Sequence, residues 1–325
     1  MVVHDVLIIG SGPAGCTAAL YAARGNLKTF VLAGYEAGGQ LMITSDVENF
    51  PGFEHAITGP ELMDRMRKQA ARFGSVFVDE DATAIDFGVR PFRVTSDSGV
   101  HEAHSVIVAT GSSAKWLGLE SETRLRGHGV SACATCDGFF FKEKRVVVVG
   151  GGDSAMEEAN FLTKFATEVT IVHRRDSFKA SKIMAARALA NPKIKVRWDT
   201  TITEVLGKDH VEGVRLKNLK TGKEEVFPCD GYFSAIGHNP NTALFKGSLR
   251  LDEAGYVVAE GMHETWTDVE GVFVAGDVHD HRYKQAITAA GMGCKAAIDA
   301  ERWLEHQREM GQIEGKGKAT VSTLR

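Results

Sequence analysis

Twice along this chain a short apolar, β-branched run passes into a glycine-rich turn and then into a segment of helical period. Residues 5–9 lead into Gly10-Ser11-Gly12-Pro13-Ala14-Gly15 and an alanine-rich helix expected to about residue 25. Residues 145–149 lead into Gly150-Gly151-Gly152-Asp153-Ser154-Ala155 and a helix expected over 156–165. Each copy continues into a second apolar strand, 29–32 in the first and 168–173 in the second. Strand, turn, helix and strand in that order form a βαβ unit, whose crossover forces its two strands to run parallel. The repeat therefore restricts the chain to an α/β fold of two Rossmann-like domains, of the kind that bind FAD or NAD(P).

Two further strand ends carry similar punctuation. Residues 106–108 run into Ala109-Thr110-Gly111, and residues 271–274 run into Ala275-Gly276-Asp277. The second unit has its own counterpart at 233–237, before the turn-rich His238-Asn239-Pro240-Asn241. If Gly276 and Asp277 belong with the first glycine loop, the second domain is inserted into the first. The expected division is 1–115 and 244–305 for the first domain, 116–243 for the inserted one, and a flexible polar tail over 306–325. A chain of 325 residues with 43% hydrophobic content is long enough for two cores.

Charge and cysteine usage exclude several classes of partner. With 38 basic against 42 acidic residues the net charge is -4, which gives no polybasic footprint for nucleic acid or a membrane surface. No apolar run approaches the roughly 18 residues of a membrane helix, and Met1-Val2-Val3-His4-Asp5 lacks the basic flank and apolar stretch of a secretion signal. A cytoplasmic protein is expected. Cys16, Cys229 and Cys294 stand alone, so the five cysteines do not read as a secreted disulfide framework.

The remaining two, in Cys133-Ala134-Thr135-Cys136-Asp137, have a spacing that closes readily into a disulfide and reopens by thiol exchange. Half a zinc site and two inert buried thiols are the rival readings, but His128 is the only histidine close by and the other cysteines are isolated, so no metal is expected. Asp137 beside two sulfurs suits a proton carrier with a raised pKa, and it equally suits a helix cap. Phe139-Phe140-Phe141 reads either as core or as an apolar rim for a protein substrate.

The two glycine loops lead into different chemistry. Gly10, Gly12 and Gly15 have the G-x-G-x-x-G spacing that lets a backbone approach a pyrophosphate at a helix N-terminus. An acidic ribose partner is expected about 20 residues on; the second strand ends in Leu32-Ala33-Gly34, and Glu36 is the first acid, with a solvated loop carboxylate as the alternative. The second loop ends in Ala155, a known variant of the pattern, and the place of the ribose acid is taken by His173-Arg174-Arg175, with Lys179 further on. Guanidinium groups grip a phosphate in bidentate fashion, so this loop is expected to favour NADPH over NADH. A merely solvated basic turn is the alternative.

Taken together, these motifs resemble the low-molecular-weight, bacterial-type NADPH-dependent thioredoxin reductases, from residue 6 to about residue 304. The shared positions include Gly38-Gly39-Gln40-Leu41, Val47-Glu48-Asn49-Phe50-Pro51-Gly52, Cys133 to Gly138, and Gly276-Asp277 through Tyr283-Lys284-Gln285-Ala286. The resemblance implies FAD on Gly10, Gly12, Pro13, Ala14, Gly15, Glu36, Gly39, Gln40, Leu41, Asn49, Gly276, Asp277, Lys284, Gln285 and Ala286. It implies NADPH on Gly150, Gly152, Asp153, Ser154, Ala155, His173, Arg174, Arg175 and Lys179. It further implies that Cys136 takes electrons from the flavin, Cys133 attacks the thioredoxin disulfide, Asp137 manages the proton, and Phe139 and Phe140 meet the thioredoxin. A homodimer is also implied. Departures are few: Met292 stands where relatives often have a small polar residue, Lys284 replaces a frequent Arg, and the tail is long.

The cysteine motif and the NADPH loop lie on the same inserted domain, and both need close access to one flavin. A swivel of that domain about its connections, near 112–118 and 241–247, is therefore expected to alternate them. Two other functions share much of this chemistry. A flavoprotein feeding a peroxiredoxin-type partner usually carries an extra N-terminal domain, whereas here the first loop begins at Gly10. A flavin redox sensor without turnover would not need the complete second nucleotide loop.

Overall fold

The computed structural model describes residues 2–44, 46–260 and 264–313. The chain folds into two compact units, Met1–Met42, Pro60–Ser112 and Pro240–Arg325 forming the first, Ile43–Gly59 and Ser113–Asn239 the second. The crossings near residues 112 and 240 lie in short strands, Ser112–Ala114 and His238–Pro240, which pair with each other.

In the first unit the strands Val76–Val78, Thr29–Leu32, Val3–Ile9, Gly99–Val108, Phe92–Ser96 and Ala84–Asp86 lie side by side in that order, and Val272–Val274 pairs onto Gly99–Val108. The strands from Val76–Val78 to Gly99–Val108, and Val272–Val274, are parallel; Phe92–Ser96 and Ala84–Asp86 are antiparallel. Side chains alternate between two cores, as strand geometry requires. Val6, Ile8 and Ile107 face the helices Pro13–Arg24 and Ala286–Glu309, while Leu7, Ile9, Val106 and Val108 face Phe92, Phe245 and Leu249. Each such buried side chain contributes about 1.5–3 kcal/mol of transfer free energy.

The parallel register sets the functional edge. Ile9 lies opposite both Leu32 and Val108, and Val108 opposite Val274, so Gly10, Ala33, Ala109 and Ala275 all leave the sheet at the same end. Backbone bonds carry the alignment one residue further, from Gly10 N–H to Leu32 O (2.8 Å), Ala109 N–H to Ile9 O (2.8 Å) and Ala275 N–H to Val108 O (2.9 Å). Ligands of open α/β sheets bind at such a carboxyl edge.

The second unit repeats the plan with five parallel strands, Ile194–Arg197, Glu168–Val172, Arg145–Val149, Gly231–Ser234 and Val130–Ser131, in that order. An antiparallel sheet of Thr200–Leu206, Gly213–Asn218 and Glu224–Pro228 completes it. The unit also takes in Ile43–Gly59, a segment expected within 1–115. That segment closes on itself through the paired bonds of Val47 and Ile57 and the Gly59 N–H to Thr44 O bond (3.1 Å).

The helix expected over 156–165 spans Asp153–Leu162, because it starts directly at the glycine loop. The span expected to be a tail, 306–325, begins as helix: Ala286–Glu309 extends into its first residues, where Gln307 donates to Glu270 Oε1 (3.1 Å) and Arg308 pairs with Asp5. Residues 314–325 of that expected tail lie outside the described residues. No helix among the described residues is long and apolar enough to cross a membrane.

Candidate active site

The first loop is shaped by close approach. Gly10 has φ 107°, which glycine alone adopts freely, and a Cβ there would lie 2.7 Å from the Ala109 carbonyl carbon. A Cβ on an added side chain at Gly15 would lie 2.8 Å from the Gly10 carbonyl carbon and nearer still to its oxygen. Gly12 differs, since a Cβ there would meet no atom within 4 Å. It is the N-cap of helix Pro13–Arg24, and no side chain caps that helix end. Its orphan N–H groups and open approach fit a pyrophosphate. Gly39 comes back over this loop, its would-be Cβ 3.7 Å from Gly12 Cα, and the Ser11 hydroxyl ties Gly38 N–H (3.0 Å) to Ala33 O (2.7 Å).

The same edge receives Ala14, Gly15, Gly276, Asp277, Lys284, Gln285 and Ala286. A Cβ at Gly276 would sit 2.9 Å from Ala14 Cβ, so the residues after Val272–Val274 pack directly on the first helix. Asp277 is next; burial pushes its carboxyl up to about 7, with Asp280 adding to the rise and Lys284 opposing it. Asp280 is itself buried, and its Oδ2 has no hydrogen-bond partner among the described residues. Gln285 caps helix Ala286–Glu309 in a capping box with Thr288. Gln40 and Leu41 lie in the 3-10 turn Gly39–Ile43, and Glu36 is exposed. Asn49 is placed differently, on the Ile43–Gly59 segment of the second unit.

The second loop reaches the same end by another route. Gly152 is the uncapped N-cap of helix Asp153–Leu162 with nothing within 4 Å of a Cβ position. Ala155 supplies a real Cβ, and Gly150 is tight as Gly10 is, since a Cβ there would lie 2.6 Å from that of Ala155. The buried His173 ring occupies the space a side chain at Gly151 would need; burial lowers its pKa, and its Nε2 lies 3.0 Å from Ser177 O. The basic segment is folded over the loop by Lys179 N–H and Ala180 N–H to Gly151 O (2.7 and 3.0 Å) and by Ser181, whose N–H and hydroxyl donate to Asp153 Oδ1 (2.8 and 2.9 Å). Asp153 is thus an anchor of that segment. Arg174, Arg175 and Lys179 are exposed, as is Ser154, and neither arginine has an ion-pair partner among the described residues.

Cys133 and Cys136 form a disulfide with Cα atoms 5.3 Å apart. Cys133 is the N-cap of the short helix Ala134–Asp137, and Cys136 N–H donates to Cys133 Sγ (3.2 Å). Ser131, unmarked by sequence reasoning though only two residues upstream, accepts the Cys133 N–H (3.0 Å). Burial raises the Asp137 carboxyl pKa, and the Ser131 hydroxyl beside it opposes that rise. The phenylalanine run splits: Phe141 is 7% exposed and meets Phe233 edge-on at 5.1 Å, whereas Phe139 and Phe140 are 60% and 38% exposed. Two of the other thiols, Cys16 and Cys229, are unsuited to exchange. Burial pushes Cys16 and Cys229 up to about 12, and Cys294 is half-buried.

Comparison with known proteins agrees with this geometry. Residues 4–293 match the family described as pyridine nucleotide-disulphide oxidoreductase. The chain is 55% identical over 305 residues to a thioredoxin reductase of Mycolicibacterium smegmatis, covering 94% of this chain and 98% of that one. It is 56% identical over 304 residues to a thioredoxin reductase of Streptomyces coelicolor, covering 93% and 94%. Among solved structures, a thioredoxin reductase from Giardia duodenalis superposes with a TM-score of 0.90 at 45% identity, covering 94% of this chain and 100% of that chain. One from Streptococcus pyogenes gives 0.89 at 40% identity, covering 94% and 99%. With two uncapped glycine loops at the ends of parallel strands and a Cys133–Cys136 disulfide, this chain belongs to the pyridine nucleotide-disulphide oxidoreductases and, among them, to the thioredoxin reductases.

Proposed function

We propose that this protein is a thioredoxin-disulfide reductase that carries reducing equivalents from NADPH, by way of FAD, to the Cys133–Cys136 disulfide and on to oxidised thioredoxin. The observation that carries this reading is the disulfide itself, closed beside a half-buried Asp137 in the unit that also holds the basic nucleotide loop. The residues that would hold FAD are those of the first loop with Glu36, Gly39, Gln40, Leu41, Asn49 and the stretch from Gly276 to Ala286; the second loop with His173, Arg174, Arg175 and Lys179 would hold NADPH. The chemistry that a bound flavin would supply there is two-electron: hydride acceptance from a reduced nicotinamide and reduction of a disulfide.

The chain's own part rests on its geometry. The Cys133–Cys136 bond takes up two electrons and two protons and becomes a dithiol. Asp137, whose carboxyl burial holds above the usual carboxylate range, is suited to supply a proton to a departing thiolate in the same turn. The Cys136 N–H, 3.2 Å from Cys133 Sγ, stabilises negative charge there, so Cys133 is the attacking thiolate. Its attack breaks the thioredoxin S–S bond and forms a mixed disulfide. Cys136 then attacks the Cys133 sulfur, which releases thioredoxin as a dithiol and restores the original bond. The exposed Phe139 and Phe140 rings, in edge contact at 6.3 Å, offer that partner an apolar foothold.

A swivel of the second unit about the two crossings would alternate nucleotide and disulfide, and the same reading includes a cytoplasmic homodimer. The test is Cys136→Ser: NADPH should still bleach the yellow flavin under anaerobic conditions while thioredoxin stays oxidised. Thioredoxin reduction by that variant would sink the assignment.

A further inference from the structure

The basic segment folded over the second glycine loop contains an awkward neighbour, Asp176, next to Arg175. A carboxylate there would pair with the arginines or repel a phosphate. In this structure it pairs with neither arginine: Lys220 Nζ lies 3.4 Å from Asp176 Oδ2 and 2.9 Å from Asp199 Oδ2. Lys220 comes from the distant hairpin that joins Gly213–Asn218 to Glu224–Pro228. Its placement is built in several layers. Asn218 Oδ1 accepts the N–H groups of Lys220 (3.1 Å) and Thr221 (2.9 Å), which shapes the turn. Leu219 N–H donates to Asp199 O (2.6 Å), and Asp199 N–H donates to Arg175 O (3.0 Å). Phe178 packs on Trp198 at 4.4 Å, fixing the far side of the same loop.

We propose that Lys220 is a positioning residue for the 2'-phosphate of the nucleotide: anchored on Asp199, it pairs with Asp176 and so leaves Arg174 and Arg175 available to a nucleoside 2'-phosphate. The inference rests on the reading of residues 173–179 as the phosphate site. Lys220 itself touches no ligand; it acts through Asp176.

The test is calorimetric titration of the flavin-loaded enzyme with adenosine 2',5'-bisphosphate and, as the matched control, 5'-AMP. Lys220→Met should weaken the bisphosphate by about two- to five-fold, the range of exposed ion pairs, and leave the 5'-AMP affinity in place. Lys220→Arg should retain most of the wild-type preference. In an Asp176→Asn background Lys220→Met should have no further effect on the bisphosphate, because the carboxylate it restrains is gone. Equal weakening of both nucleotides would mean a merely structural role and overturn the proposal; so would a loss that persists in Asp176→Asn, which would make Lys220 a direct phosphate contact. Arg175→Ala separates the two levels of argument. If it leaves bisphosphate binding unchanged, the phosphate reading fails, and the role of Lys220 fails with it.

Discussion

The two glycine loops solve one problem with different tolerances. Both end a parallel strand, both place an uncapped glycine at a helix N-terminus, and both keep a Cβ-free approach at their middle glycine, Gly12 and Gly152. They part at the third position. In the first unit Gly15 is pressed against the Gly10 carbonyl while helix Ala286–Glu309 closes from behind, with Gly293 against Ala14. In the second unit Ala155 fits, its Cβ 2.6 Å from where one on Gly150 would lie, while the first glycine is tight in both units. The surroundings differ too, since the first loop looks onto Asp277 and the exposed Glu36, the second onto Arg174 and Arg175. On the proposed reading, the shared backbone geometry would hold a pyrophosphate and the side chains that follow the second strands would select which nucleotide carries it.

The largest expected break in this comparison is Gly15→Ala. Its Cβ has no room, so the first unit should lose stability at or beyond the upper end of the about 1–3 kcal/mol typical of overpacking, read as lost flavin-loaded protein and a lower Tm. Asp137→Asn should slow thioredoxin reduction by about 100-fold, the scale of a lost general acid. The pH profile carries the sign: a carboxyl with raised pKa donates its proton only below that pKa, so wild-type rate should fall as pH rises through it, and the variant should lack that limb. Stopped-flow rates at a series of pH values check both points. Arg174→Ala or Arg175→Ala should each raise the NADPH Michaelis constant by about 10-fold, as loss of one charge-assisted bond does, with little change for NADH. Smallest is Ala155→Gly, expected to cost about 0.5–1 kcal/mol of helix propensity and nothing in nucleotide choice, measured by thermal unfolding. A loss of binding there as large as that of Gly15→Ala would erase the distinction between the loops.

Local pattern made much of this legible. The glycine spacing, the β-branched runs 29–32 and 145–149 and the cysteine pair are each contained in a few consecutive residues, and each stands in the structure where its neighbours in sequence put it. What escaped depends on partners distant along the chain. Phe141 is core and Phe139 is not because Gly231 and Phe233 lie under only one of them. Helix Ala286–Glu309 outlasts the apolar period where Gln307 meets Glu270 and Arg308 meets Asp5. Asp153, which reads as a phosphate-loop residue, is held by Ser181, and Lys220 bears on the basic loop from 44 residues beyond Asp176. No periodicity marks such pairings.

The most direct measurement of the central claim is a thiol census after reduction. The enzyme, anaerobic and given one equivalent of NADPH, is alkylated and its peptides weighed. The account predicts label on Cys133 and Cys136, with Cys16 and Cys229 unlabelled under native conditions. Absence of label from Cys133 and Cys136 before thioredoxin is added, in enzyme of which a parallel sample reduces thioredoxin, would contradict it.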